Sequence, residues 1–444
     1  MKKHIVFVVK TFLLLLLIGF SSLLQAQRTH VIKQGETLYR LTQIYKISAE
    51  DLCNANPGLS ATYFPIGLEV KIPSKVNDKG DLKNKNVGRT VKLALILPFG
   101  LDDDVAESSR MLEFYQGFLL AVDTLKKQGV SVDLRVYDTG KEGSSIEKIL
   151  GDEELKNMDC IIGGYYWGHI KQLSDFCKRN RIKMVLPFSS NDHFVANNPE
   201  LFMINTPQPY LYPVVQDRFK TYFSNAQVFF LDSEEGRNDK NDFVESFKTR
   251  LTLQKIPYEM FTKGQTIAEI GKKLKKKKEN IFIPVSGEDS TLEEWMPILT
   301  ALLEIHKDKK IRLFGYPEWQ TYTGRYISRF YNLDTYIYST FYTSNIFPSA
   351  INFKSNFRKW YHKDPAVTFP RYSMLGYDLG LYFITALSRY GTNFIMDFTE
   401  LENIPTLQSG FRFERINEYG GFINKNVYFI NFSKNMEIVK TELQ

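Results

Sequence analysis

From Val91 onward, short, largely apolar runs alternate with longer stretches in which apolar residues recur every three or four positions. The runs 91–99 (VKLALILPF), 132–137 (VDLRVY), 158–164 (MDCIIGG) and 182–188 (IKMVLPF) read as strands covered on both faces, and 227–231, 280–285, 310–315 and 336–339 continue the series. The stretch 109–128 is expected to be a helix with Leu112, Tyr115, Leu119, Val122 and Leu125 on one stripe and Gly129 closing it. Strands alternating with helices predict an α/β protein of doubly wound parallel sheets. The series is long enough for two such units, with the chain crossing between them in 202–213. The lysines of 272–278 end a helix expected to start near Thr266, where cations suit the last carbonyls.

Ahead of this region the pattern changes. Over 28–74, a short alternating run from His30 to Lys33 gives way at Gly35 to a helical spacing of Leu38, Leu41 and Tyr45. Ser48, with Asp51 three residues on, caps a second helix whose inward residue is Leu52. Asn56, Pro57 and Gly58 stop that helix, and 68–72 alternates again, so a small βααβ module is predicted. The stretch 75–90 is rich in Lys, Asp, Asn and Gly and cannot bury itself; it is expected to be a flexible linker, spanning roughly 22 Å as a random coil. At the start, Lys2 and Lys3 precede an apolar run over 12–20 that is short for a membrane span, and Ala26 supplies a small residue before a cut. Residues 1–26 are therefore expected to be a cleaved signal peptide, which leaves no membrane span. No Cys follows the run to carry a lipid anchor.

Composition narrows the function classes. The 444 residues hold 57 Lys plus Arg against 50 Asp plus Glu; this net +7 is mild, and much of the excess lies in the signal-to-linker region and in 272–278, so a nucleic-acid surface is not indicated. The aromatic content of 14% is high enough to line a cleft as well as fill cores. Cys53, Cys160 and Cys177 allow one bridge at most, and apolar surroundings favour buried thiols for the latter two. The six His residues form no cluster with metal-ligand spacing, so neither metal nor cofactor is expected.

The motifs GETL, SAEDL, NANPG and IGLEVKIP within 30–74 resemble the LysM family of peptidoglycan- and chitin-binding modules. The resemblance implies a groove for N-acetylated glycan between a loop carrying Gly35, Glu36, Thr37 and Leu38 and another running from Asn56 and Pro57 toward Ile66 and Gly67. Backbone amides and carbonyls there would bond N-acetyl groups while small apolar side chains pack on the sugar ring.

The segments FYQGFLLAVDTLKKQGVSVDLRVYDTG, IKMVLPFSSND, LFMINTP, LFGYPEW and GFRFERINEYGGFINKNVYFINF resemble the type I periplasmic binding proteins, in their branched-chain amino acid receptor branch. The resemblance runs over 91–444 and implies two lobes about a hinge, the first from about 91–208 and 342–407, the second from about 209–341 and 408–444. It places a ligand at the carboxyl ends of the strands, between the lobes. Three loops are nominated: Tyr165, Tyr166 and Trp167; Ser189, Ser190 and Asn191; Tyr316, Glu318 and Trp319. By analogy, Ser189 and Ser190 match hydroxyls that bind an amino acid zwitterion, and Glu318 matches the acid that meets its ammonium. Three aromatics at 165–167 depart from the small residues of the family and would stack on a ring or plug the cleft.

No nucleophile elbow, phosphate loop, dinucleotide fingerprint or His-Glu metal helix occurs, and His169 and His193 have no sequence-evident partner, so no catalytic residues are nominated. The expected protein is periplasmic and non-catalytic: a LysM module tethers a two-lobed domain to peptidoglycan, and that domain closes on a small polar ligand such as an amino acid, peptide or wall fragment. Two alternatives stand beside it. One is a ligand-free scaffold or regulator of wall synthesis with a cell-envelope protein partner; the other is an amino acid transport receptor.

Overall fold

A computed structural model of the chain describes residues 28–32, 41, 44–45, 52–53, 55–56, 59, 67–73, 89–100, 106–233, 238–396, 398–401 and 404–443. The expected signal peptide lies outside them, as does all but the end of the linker. The chain divides into two units, Met1–Lys83 and Asn84–Gln444.

In the first unit β1 (Arg28–Val31) and β2 (Glu69–Ile72) pair antiparallel, with Arg28 opposite Ile72 and Val31 opposite Glu69. Ile32, Leu41, Leu52, Leu59, Val70 and Ile72 are buried together, with Tyr45 and Cys53 packed at their margin. A core of this size is what a minimal strand–helix–helix–strand module can assemble, since each element offers one or two apolar residues inward.

The second unit is built on β3 (Thr90–Leu97), β4 (Ser131–Asp138), β5 (Cys160–Gly163), β6 (Lys183–Leu186), β7 (Leu201–Met203), β8 (Ala226–Leu231), β9 (Tyr258–Phe261), β10 (Glu279–Pro284), β11 (Lys310–Gly315), β12 (Thr335–Ser339), β13 (Phe413–Arg415), β14 (Phe422–Asn424), β15 (Tyr428–Ser433) and β16 (Glu437–Glu442). They form two seven-stranded sheets, β13-β14-β7-β6-β5-β3-β4 and β16-β15-β12-β11-β10-β8-β9. Pairing from β14 through β4 and from β12 through β9 is parallel, and the remaining edge strands are antiparallel. Strands such as Cys160–Gly163 and Ala226–Leu231 are buried throughout, because helices cover both faces. In each half the chain order turns back beside the first strand, which opens a crevice at the strand carboxyl ends.

The chain passes between the halves at 204–207, 340–347 and 425–427. One expected boundary is corrected. Residues 413–424 belong to the first sheet, because β14 pairs in parallel with β7 through Phe422–Phe202 and Ile423–Met203; the return to the second half comes only at β15.

The first long helix spans Ala106–Lys127. Its buried residues include Met111, Phe114, Phe118, Ala121 and Leu125, whereas Leu112 of the expected stripe is 43% exposed. The stripe is rotated because this helix meets two partners, the sheet and the helix Tyr372–Tyr390, and close contact with the second is set by glycines rather than by large apolar residues. The helix Ile267–Lys273 has Thr266 as its cap, with Glu269 returning the bond in a capping box, and Lys272 and Lys273 in its last turn.

Candidate functional site

In the first unit Asn56 is engaged by its own module. Its Nδ2 donates to the carbonyls of Leu52 and Lys71, both at 2.8 Å, and its Oδ1 accepts from the Lys71 amide at 2.7 Å, so it fastens the end of the second helix to β2. Gly67 has φ of +85°, and its amide donates to the Ile32 carbonyl at 2.8 Å, which turns the chain into β2. Gly35, Glu36, Thr37, Leu38, Pro57 and Ile66 lie outside the described residues.

In the second unit the nominated loops follow β5, β6 and β11, as the strand-end rule requires. The first two meet. Tyr165 stands edge-on to Tyr166 and to Phe188, which precedes Ser189, and Phe188 reaches Tyr372. Trp167 turns away, half-exposed, onto Phe194 at 4.4 Å. The aromatic trio is thus spread over the first half and does not form one plug. Ser189 Oγ accepts from the Asn191 amide at 3.2 Å, and Asn191 Oδ1 accepts from the His193 amide at 3.0 Å, so both shape the turn into the helix His193–Asn197. Ser190 is exposed. His169 is buried with Nε2 at 2.7 Å from the Ser144 carbonyl and faces no nucleophile.

The third loop departs from expectation. Tyr316 and Trp319 are fully buried in the core of the second half. Tyr316 Oη donates to the Pro284 carbonyl at 2.5 Å, and Trp319 Nε1 donates to the Gly287 carbonyl at 3.1 Å while its ring stacks on Phe330. Neither is available to a ligand: large rings beside β10 and β11 fill the space that strand-end loops would otherwise leave empty. Glu318 stays partly exposed, but Lys240 Nζ lies 2.5 Å from its Oε1 and 2.9 Å from Asp239. Burial works against the Lys240 charge, and the bonds to Glu318 and Asp239 overcome it, so its pKa stands above the ordinary lysine value. The ammonium that Glu318 meets is the chain's own.

Two cavities lie where the halves meet. The smaller, about 130 Å³, is lined by Phe188, Asn205, Thr340, Tyr372, Ser409 and Asn424 among others. The larger, about 660 Å³, shares Phe341 and Pro370 with it and opens between 320–331 of the second half and 367–371 of the first, with Arg371 on its wall. Beside it a buried carboxylate organises the hinge. Asp378, in the helix Tyr372–Tyr390, accepts the backbone amides of Leu407, Gln408 and Ser409 at 2.6, 3.0 and 2.9 Å. The Gln408 carbonyl then takes the Tyr342 amide at 2.9 Å and Lys440 Nζ from β16 at 3.1 Å, and its side chain brackets the backbone of Arg371. Burial pushes the Asp378 carboxyl up to about 6, against the pull of the three amides and of Lys440.

Sequence reasoning passed over Arg371, Asp378 and Lys240. The one signal for Arg371 is its place between Pro370 and an apolar helix, in a stretch without an acid from 365 to 377. Among the described residues, no group of three or more His, Cys, Asp or Glu is placed to hold a metal ion, and Cys160 and Cys177 are buried free thiols.

Residues 30–73 match the LysM domain. The LysM match covers β1, β2 and the small core between them, and it coincides with the module drawn from the chain's own pattern. No match to a curated protein was found. Among solved structures, the chain is similar over 79% of its length, at 15% identity and a TM-score of 0.54, to the whole (100%) of a chain described as a branched-chain amino acid ABC transporter from Rhodospirillum rubrum. Weaker overlays, both at a TM-score of 0.39, are with the substrate-binding protein LivJ from Streptococcus pneumoniae in complex with isoleucine (14% identity, 79% of this chain, 100% of that one) and the leucine-binding protein LivK from Thermotoga maritima (18%, 80% and 99%). At these identities the likeness bears on fold, and the fold behind the LysM module is that of the type I periplasmic binding proteins.

Proposed function

We propose that this is a secreted, non-catalytic binding protein of the periplasm, held to peptidoglycan by its LysM module, whose two-lobed domain closes about a small polar ligand. The observation that carries the reading is the hollow of about 660 Å³ between halves linked only by short crossings, where a change of hinge angle alters the site directly. Such a volume suits one compact molecule rather than a polymer. A wall-fixed module makes the domain a stationary sensor or scavenger of what is released nearby. Among the described residues no helix is long and apolar enough to cross a membrane.

Deletion of 28–73 is the test of the tether. The full mature chain should co-sediment with purified sacculi, and the deletion variant should remain in the supernatant; equal sedimentation of the two would remove the LysM module from the account. A panel of amino acids, short peptides and muropeptides in a thermal-shift assay tests the domain, since a ligand bound only by the folded state raises Tm.

One observation favours a second reading, a scaffold that acts on a cell-envelope protein without a ligand: Lys240 already occupies Glu318, and Tyr316 and Trp319 are core residues. A silent panel selects that reading. The same ion pair weighs against a transport receptor for amino acids, whose ammonium would have to displace Lys240.

A further inference from the structure

Among the described residues, Arg371 is the only charged one that lines the larger hollow, and no Asp or Glu lines it. Its guanidinium donates to Asn345 Oδ1, a neutral acceptor, at 2.8 Å, and it makes no ion pair among the described residues. Burial lowers its pKa, with only Tyr342 acting in the other direction. A guanidinium partly withdrawn from water without a counter-charge is unfavourable by itself and becomes favourable when an anion is brought beside it. A guanidinium facing a hollow that no acid lines describes a recognition surface for an anion.

We propose that this hollow binds a compact monoanion, a carboxylate carried on a sugar or a short peptide, with the Arg371 guanidinium as its charge partner. The inference rests on the reading of the domain as a small-ligand binder and names the ligand's class. One guanidinium balances one negative charge, and its planar fork matches the two oxygens of a carboxylate. The rings of Tyr331, Phe341 and Phe369 on the walls provide apolar faces for a sugar ring or a small side chain. Each half contributes one wall, so the anion is fully enclosed only as the halves approach. Wall turnover releases molecules of this kind: muramic acid carries a lactyl carboxylate, and stem peptides end in one.

The test is calorimetric titration of the full mature chain, with the 28–73 deletion variant in parallel so that binding by the LysM module is told apart, using N-acetylmuramic acid, N-acetyl-D-alanyl-D-alanine, inorganic phosphate, neutral N-acetylglucosamine and cationic leucinamide. At least one of the two carboxylates is expected to bind saturably, the sugar acid or the dipeptide telling which source is meant. Arg371→Gln, which keeps a donor for Asn345 and leaves the backbone bonds to Gln408 in place, should weaken that binding about 10- to 100-fold, the loss expected for a charge-assisted contact. Arg371→Lys, which keeps the charge and loses the planar fork, provides a second variant and should weaken it less than Arg371→Gln does. Carboxylate binding untouched by Arg371→Gln overturns the proposal, as does binding of phosphate, N-acetylglucosamine or leucinamide alone; each of these outcomes leaves the small-ligand reading standing. Silence of every probe overturns both.

Discussion

Gly117→Ala is expected to destabilise the second unit by about 3 kcal/mol or more, at the upper end of overpacking effects. A Cβ at Gly117 would lie 1.7 Å from the Ser373 carbonyl oxygen and 2.5 Å from its carbon, both backbone atoms that cannot swing aside. The contact is reciprocal. Gly376 faces the Phe114 carbonyl in the same way, and Gly380 abuts Ala121, so the helices Ala106–Lys127 and Tyr372–Tyr390 touch along glycines. The seat also sets the surroundings of the larger hollow, because the second helix begins beside Arg371 and carries Asp378; forcing the helices apart moves both residues. Gly168→Ala is the matched control: it lies in the helix Trp167–Asn180 with nothing within 4 Å of the added methyl, and should be neutral or stabilising by about 0.5–1 kcal/mol. Urea denaturation of the two variants checks the pair, and equal stability would refute the close seat.

Asp378→Ala should cost about 3–5 kcal/mol at pH 7, the range for stranding buried partners of a removed charge, because three amides lose their acceptor and Lys440 loses its facing carboxylate. The cost should also depend on pH, and its sign is fixed. The folded carboxyl titrates at about 6, above the 3.8 of the exposed group, so the folded state holds the proton more tightly. The part of its contribution that depends on this proton is therefore complete below about pH 3.8 and is lost as pH rises through about 6, while the bonds from the three amides remain in both forms. Between pH 4.5 and pH 7 the wild type should lose about 2 kcal/mol through this residue, so the variant's deficit is larger at pH 4.5 than at pH 7. Lys440 is shifted the other way, down to about 8 by burial, and its contribution changes above the range compared. A deficit independent of pH between these values would show that the carboxyl is not held as the structure has it.

Much of the architecture was legible along the chain because strands buried on both faces must be largely apolar, as the runs at 91–99 and 182–188 are, each broken by a single Lys. The small module was legible for a different reason: its turns depend on particular residues, Gly67 at positive φ and Asn56 with its side-chain bonds to backbone. The nominated cleft was read less well. Ser189 and Asn191 serve their own turn, and Tyr316 and Trp319 serve the core, since a Tyr or Trp at a strand end has the same letter whether it fills a core or faces a ligand.

The sequence by itself determined the order of modules and the two-lobed α/β plan, because periodicity and turn chemistry are local and survive without knowledge of partners. Only the tertiary structure decided which charges meet. Lys240 reaches Glu318 across 77 intervening residues, Asp378 finds amides about 30 residues on, and Arg371 lines a wall with residues of the other half. Charge pairing and cavity lining depend on distances in space, which no spacing along the chain encodes.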